Sequence, residues 1–212
     1  TTKMTTTRSN NNNNKHNNSV AETAESILRK MTQLYETGEL QDPPDVVSYS
    51  IVLDAWAKQA WADPNAAQRA QALLDQMKHV TPNNNGSNNN NSRPNHISYN
   101  TLITAHARAG NPQQAEALLH EMIQQSTSQL VGIHNNNSKN KNNAAAAATL
   151  GVRPDVQSFS QVIAAWSRVG TMEAAERAEA LLRELMPRVG IRPNVQTYSN
   201  CLTCWAKVPS TM

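Results

Sequence analysis

Four segments of this 212-residue chain repeat one pattern of fifteen residues. They read PDVVSYSIVLDAWAK from Pro44, PNHISYNTLITAHAR from Pro94, PDVQSFSQVIAAWSR from Pro154 and PNVQTYSNCLTCWAK from Pro193. An internal repeat of this kind is typical of elongated folds, in which each unit packs mainly against its neighbours. A single large core is not expected, because only 38% of the residues are hydrophobic and asparagine crowds three stretches.

Each repeated segment carries large side chains at the spacing of one helical face. In the first segment these are Tyr49, Val52, Leu53 and Trp56, at i, i+3, i+4 and i+7. The same positions of the other segments hold Tyr99, Leu102, Ile103 and His106; Phe159, Val162, Ile163 and Trp166; and Tyr198, Cys201, Leu202 and Trp205. We expect this face to be buried in every segment, with Trp56, Trp166 and Trp205 in the core.

A second helical pattern follows each of the first three segments. It begins at Ala70, Ala115 and Ala178 and ends at Met77, Met122 and Leu185, with a related stretch starting earlier, at Ala24. A proline precedes each first helix, followed by a residue whose side chain can accept from the free helix N–H groups. These expected N-caps are Asp45, Asn95, Asp155 and Asn194. Each unit is therefore predicted to be a helical hairpin.

Hairpins that cannot bury their apolar faces alone predict an all-α fold, an α-solenoid of stacked helix-turn-helix units. We place the solenoid at residues 19–207, with units at about 46–95, 96–155 and 156–194 and a partial unit at 195–207. Asparagine-rich inserts at about 79–92 and 124–150 break the period, and we expect them, like residues 1–18, to be disordered. The sequence stops after a copy of the first helix, so we expect the chain to be a fragment of a longer protein.

The opposite face of every first helix ends in a cation. The four cations are Lys58, Arg108, Arg168 and Lys207. One cation per unit is suited to following the phosphates of a single nucleic-acid strand, and the net charge of +3 favours an anionic partner. The alternative is that each cation only interacts with the dipole at the end of its own helix.

The units resemble pentatricopeptide repeats. The stretch SYNTLITAHARAGNPQQAEALLHEM with GVRPD, and the stretches SFSQVIAAWSRVG, RAEALLREL and GIRPN, follow the order of residues in that family. The order is an aromatic residue, a small polar residue, an apolar pair, a basic residue, Ala-x-x-Leu and Pro-Asp. The tetratricopeptide repeat, a protein-binding relative, would have a small residue where this chain has Leu53, Ile103, Ile163 and Leu202.

The resemblance implies that each unit reads one base of single-stranded RNA with two side chains. The first readers would be Ser50, Asn100, Ser160 and Ser199, and the second readers Asn95, Asp155 and Asn194. Val47, Ile97, Gln157 and Gln196 would sandwich the bases, although the two glutamines depart from the usual Val or Ile. Ser with Asn resembles an adenine reader and Asn with Asp a uracil reader, which implies the sequence 5′-A-U-A-3′. The alternative is that these small polar residues only solvate helix N-termini.

The resemblance further implies a role in organelle RNA processing, stability, editing or translation, in a mitochondrion or chloroplast. Other RNA-processing proteins are possible partners, whereas no cofactor, metal, membrane or small-molecule substrate is expected. Cys201 and Cys204 have the spacing of half a zinc site, but we expect them to be packing residues. Catalysis is not expected in this segment. Two alternative functions stay open: a protein-binding helical-repeat scaffold, and the RNA-addressing part of an enzyme whose catalytic domain lies outside this chain.

Overall fold

The computed structural model describes residues 19–79, 92–135 and 152–209, apart from the side chains of residues 128–135. These residues form eight helices: α1 (Val20–Glu36), α2 (Val46–Gln59), α3 (Asn65–His79), α4 (His96–Arg108), α5 (Pro112–Asn135), α6 (Val156–Trp166), α7 and α8 (Val195–Ala206). The helix α7 consists of Met172–Ala180, a π-helical turn at Leu181–Leu185, and Met186–Arg188.

The helices stack as hairpins. The first helices of successive units are α2, α4, α6 and α8, and each of them packs beside the next. The second helices α3, α5 and α7 pack against the first helix of their own unit and the first helix of the next, and α1 packs against α2 in the same way. The tight turn between α4 and α5 uses Gly110, whose φ of +77° favours glycine. The predicted all-α solenoid is confirmed.

The apolar face of the first helices is buried in three of the four units. Its four positions are at most 4% exposed in each of α2, α4 and α6. In α8, however, Tyr198, Leu202 and Trp205 are 54%, 69% and 37% exposed, so the expectation that this face would be core was wrong there. The second helices α3, α5 and α7 cover this face in the earlier units, and no described element covers it in α8.

Every first helix begins at the predicted N-cap. Asp45, Asn95, Asp155 and Asn194 each accept a hydrogen bond from the backbone N–H three residues on. In α4, α6 and α8 a hydroxyl at that third position also accepts from the backbone N–H of the cap, which completes a capping box. Hydrogen bonds from the Ser48 backbone and side chain hold the pKa of Asp45 below its ordinary value.

Part of the longer predicted insert is helical. The helix α5 continues to Asn135, so residues 124–135 are not the loop that the composition indicates. No proline interrupts this stretch, and the hydroxyls of Ser126 and Thr127 donate to the Ile123 carbonyl within the helix. Ser92, which ends the other predicted insert, is buried and donates to the Pro44 carbonyl at 2.6 Å. Residues 80–91 and 136–150 of the two inserts, and residues 1–18, lie outside the described residues, whereas His79 is the last residue of α3.

The π-helical turn in α7 shifts the buried register by one residue. The spacing predicts Leu185 as the counterpart of Met77 and Met122, yet Leu185 is only partly buried and Met186 is fully buried. The Met186 N–H donates to the carbonyl of Leu181, five residues earlier, which adds one residue to the turn. Pro187 follows at once, and because it has no N–H it could not have continued an ordinary helical ladder.

Two buried carboxylates hold neighbouring units together. Glu116 of α5 accepts from Trp166 Nε1 of α6 at 2.8 Å and lies 3.7 Å from Arg177 Nη1 of α7. Glu25, Trp56 and Arg69 repeat this arrangement in α1, α2 and α3, with Glu25 accepting from Trp56 Nε1 at 3.0 Å. We call each set a Trp–Glu–Arg cluster. Both carboxylates are 8% exposed, and a buried charge of this kind is stable only when it is paired and hydrogen-bonded.

The unit between the two Trp–Glu–Arg clusters lacks this arrangement. His106 takes the place of the tryptophan, and Gln71 takes the place of the glutamate. The Gln71 amide donates to Asp75 within α3, and neither ring nitrogen of His106 has a hydrogen-bond partner. Burial lowers the pKa of His106, so this imidazole is neutral at neutral pH.

Candidate nucleic-acid interface

The second unit brings its two predicted readers into contact. Asn100, in the second turn of α4, donates from Nδ2 to Asp155 Oδ1 at 3.4 Å, although 55 positions separate the residues. Asn100 is 8% exposed, whereas Asp155, the N-cap of α6, is exposed. The contact leaves Asp155 Oδ2 and the second Nδ2 hydrogen of Asn100 without a described partner. The pair therefore keeps one acceptor and one donor for a ligand.

Ser158 is a third member of this site that the sequence analysis missed. Its hydroxyl donates to Asn100 Oδ1 at 2.6 Å and lies 2.9 Å from Asp155 Oδ1, while it accepts from the Asp155 N–H at 3.1 Å. Ser158 is fully buried, so it holds the Asn100 carboxamide in one orientation. The capping-box pattern, Asp or Asn followed three residues later by Ser or Thr, occurs before all four first helices and could have indicated it.

The other predicted reader pairs are not joined by hydrogen bonds. The Ser160 hydroxyl donates to the Val156 carbonyl of its own helix, and Asn194 caps α8 through the Thr197 N–H. Asn95 accepts from the N–H groups of Ile97 and Ser98 and forms no bond to Ser50. Ser199 is exposed in α8. The structure thus brings together one of the three complete pairs.

The predicted sandwiching residues all lie exposed in the first turn of their helices. Val47 and Ile97 are 58% and 51% exposed. Gln157 and Gln196 are exposed as well, and Gln196 donates to Asn200 Oδ1 at 2.9 Å. Apolar side chains at two of these positions offer contact surface for a planar ligand, which the glutamines provide less well.

The four cations lie at the other end of the first helices. Arg108 lies eight positions after Asn100, which is about 12 Å along a helix. Three cations donate to a carbonyl at the end of the preceding first helix: Arg108 to Ala57 at 2.9 Å, Arg168 to Ala107, and Lys207 to Ser167 at 2.8 Å. The cations therefore bind the end of the helix before them, a role that neither interpretation of the sequence included.

Lys58 differs from the other three cations. It forms an ion pair with Asp54 of its own helix at 2.6 Å, and both side chains are exposed. An exposed pair of this kind contributes little to stability. Lys58 is therefore the member of the set whose charge can be removed without breaking a contact between units.

The cysteine pair has the environment of packing residues. Cys201 and Cys204 are buried, and Cys204 Sγ donates to the Ile163 carbonyl at 3.7 Å. Burial, and to a lesser extent the neighbouring Cys201, raises the pKa of Cys204 to about 11, which opposes the thiolate form that binds metals. Within the described ranges, no group of three or more His, Cys, Asp or Glu residues is placed to hold a metal ion.

None of the helices described is both long and apolar enough to cross a membrane.

A family model described as a PPR repeat matches residues 90–123, and one described as a pentatricopeptide repeat domain matches residues 145–207. A search of curated proteins found no match. The first match covers α4 and the start of α5, and the second covers α6, α7 and α8. The unit formed by α2 and α3 lies outside both matches but has the same capped hairpin. The chain therefore contains pentatricopeptide repeats, at residues 90–123 and 145–207.

Proposed function

We propose that this chain binds single-stranded RNA and reads one base per unit at the N-terminal turns of its first helices. The family consists of helical-repeat RNA-binding proteins, which supports the class of ligand. The contact between Asn100 and Asp155 supports the reading of single bases, because it combines two helices of adjacent units into one polar site. A carboxamide offers a donor and an acceptor to a pyrimidine edge, and the carboxylate orients it.

In this proposal the side chains at the two ends of the first helices have separate functions. The readers and sandwiching residues at the helix N-termini select the base, and the cations about 12 Å away meet the phosphates. Following the family, we extend the proposal to transcripts of a mitochondrion or chloroplast and to their processing, stability, editing or translation. We propose no catalytic role for the described residues.

A change of one reader tests the proposal. Asn100→Ser shortens the first reader and leaves Asp155 in place, a pair that in this family resembles a guanine reader. We expect preference at the middle base to move from U towards G, because a good polar base contact discriminates by about 1–3 kcal/mol. The measurement is a titration of the whole chain against labelled RNAs that contain 5′-AUA-3′ or 5′-AGA-3′ and are otherwise identical.

The control for this prediction is Asn65→Ser, which makes the same substitution at an exposed position of α3. It should leave both affinities unchanged. If Asn100→Ser keeps its preference for U, or loses affinity equally for all bases, Asn100 is only a packing residue. A wild-type chain that shows no base preference and binds these RNAs no better than any protein of net charge +3 would instead favour the protein-binding scaffold.

A second prediction concerns the cations and compares substitutions of Lys58 and Arg108. If both meet phosphates, Lys58→Gln and Arg108→Gln should each reduce the log–log salt slope of RNA affinity by about 0.7. Only Arg108→Gln should also lower the melting temperature, because only Arg108 donates to the preceding helix. Affinity at several salt concentrations and thermal unfolding measure the two effects. An unchanged salt slope in both variants would restrict the cations to a structural role.

A further inference from the structure

Trp61 lies in the turn between α2 and α3 and is 63% exposed. Its position is held firmly, because the N–H groups of Ala62 and Asp63 both donate to the Gln59 carbonyl, at 2.9 and 3.1 Å. A single exposed hydrophobic side chain needs no explanation by itself. The surroundings of this tryptophan are what distinguish it.

The Arg168 guanidinium lies over the Trp61 ring, with Cζ 4.6 Å from the ring centroid. Arg168 lies in the unit of α6 and α7, and Trp61 lies in the unit of α2 and α3. The contact therefore spans the unit of α4 and α5. It covers part of the indole, yet the residue as a whole is 63% exposed, so part of the ring is open to solvent. A guanidinium over an aromatic ring is an attractive cation–π arrangement.

Arg108 adds a second positive charge to the same region. It donates to Ala57, four residues before Trp61, and Arg168 donates to Ala107, the neighbour of Arg108. Burial lowers the pKa of Arg168, and the charge of Arg108 lowers it further. No carboxylate in the described part of the chain forms an ion pair with either arginine. Two close cations with no counter-charge favour an anionic ligand.

An exposed indole beside two uncompensated guanidinium groups has the composition of a site for one nucleotide of a single strand. The base would stack on the open part of the indole, and the phosphate would lie between the two arginines. Every base has a planar π-face, so stacking of this kind does not depend on the base. A peptide ligand would have to bring a carboxylate for the arginines and a separate planar side chain for the indole, whereas a nucleotide carries a phosphate and a planar base together, which makes a nucleotide the better fit.

We infer that Trp61, Arg108 and Arg168 form a nucleotide-binding site for single-stranded RNA that does not select the base. The inference rests on the proposed function, since it assumes that RNA is the ligand. It adds a site outside the base-reading positions, at the edge of the stack where the first helices end. Trp61 contacts the nucleotide itself, and Arg168 both orients the indole and attracts the phosphate.

The test uses the whole chain and single-stranded oligonucleotides of A, U or C as probes. Trp61→Ala should weaken binding to all three by about tenfold, a loss typical of one stacked base, whereas Trp61→Phe should keep most of the affinity. The melting temperature of both variants should stay near the wild-type value. The matched control is Trp205→Ala, which removes another exposed tryptophan from a position without a described arginine contact.

Fluorescence provides a second measurement. The wild-type signal minus that of Trp61→Phe isolates Trp61, and this difference should be quenched as oligonucleotide is added. An affinity unchanged by Trp61→Ala would overturn the inference, and an unquenched difference signal would do the same. So would a lowered melting temperature with unchanged affinity, since Trp61 would then only brace the units.

The outcomes separate the inference from the proposed function. If Asn100→Ser changes base preference but Trp61→Ala has no effect on affinity, only the inference fails. If Trp61→Ala weakens binding but Asn100→Ser changes nothing, the base-reading proposal fails and the nucleotide site stands. A wild-type chain that binds none of the probes overturns both.

Discussion

Alanine in place of Trp166 is expected to lower the free energy of unfolding by about 3–5 kcal/mol. The indole is 4% exposed, so its removal leaves a cavity at the junction of two units. The change also removes the donor that lies 2.8 Å from the buried Glu116 carboxylate. Urea unfolding followed by far-ultraviolet circular dichroism measures the loss.

Two variants separate the contributions to this loss. Trp166→Phe keeps an aromatic ring but removes the indole N–H, and we expect a smaller cost of about 1–3 kcal/mol. Trp61→Ala truncates a tryptophan that is 63% exposed and should change stability by no more than about 0.5 kcal/mol. If Trp166→Ala costs no more than Trp61→Ala, the Trp–Glu–Arg cluster does not hold the units together.

Leucine in place of His106 is expected to stabilise the protein, by about 1–3 kcal/mol at neutral pH. Both ring nitrogens of His106 are buried without a partner, and leucine fills a similar volume with no polar atom. Burial lowers the pKa of His106 from its ordinary value of 6.5. Below about pH 6.5 the unfolded chain therefore binds a proton that the folded protein does not, and stability falls as the pH falls.

The stabilising effect of His106→Leu should consequently grow as the pH is lowered below 6.5. One proton changes the free energy of unfolding by at most about 1.4 kcal/mol per pH unit. Urea unfolding at a series of pH values gives the comparison, with His79→Leu as the control because His79 is exposed at the end of α3. Parallel pH curves for the wild type and His106→Leu would contradict a buried, neutral imidazole.

Local patterns were sufficient to predict the helical hairpins. The spacing of Tyr49, Val52, Leu53 and Trp56 defines a helical face, and a proline with a following Asp or Asn marks each helix start. Periodicity shows which side chains share a face but not what covers that face. For this reason it predicted burial for Leu202, which is 69% exposed.

The interface was less accessible to sequence reasoning, because its contacts join distant residues. The family resemblance paired Asn100 with Asp155, but the bond from Ser158 to Asn100 spans 58 positions and required the geometry. The cations show the same difficulty. From the sequence, each cation was predicted either to contact RNA phosphates or to interact with the dipole of its own helix. In the structure, Arg108 and Arg168 donate to backbone carbonyls of the preceding first helix.

The N-caps of the first helices limit how this protein could be rewritten for another RNA. Asn95, Asp155 and Asn194 start a helix in one unit and are the proposed second readers of the unit before. This position favours a side chain that accepts from helix N–H groups, which is Asn, Asp, Ser or Thr, and it tolerates Gly, which leaves those groups to solvent. Any other replacement would cost about 0.5–2 kcal/mol of helix stability. Five residue types are therefore suited to this position. A substitution that changes the base preference of one unit also changes the stability of the first helix in the next unit.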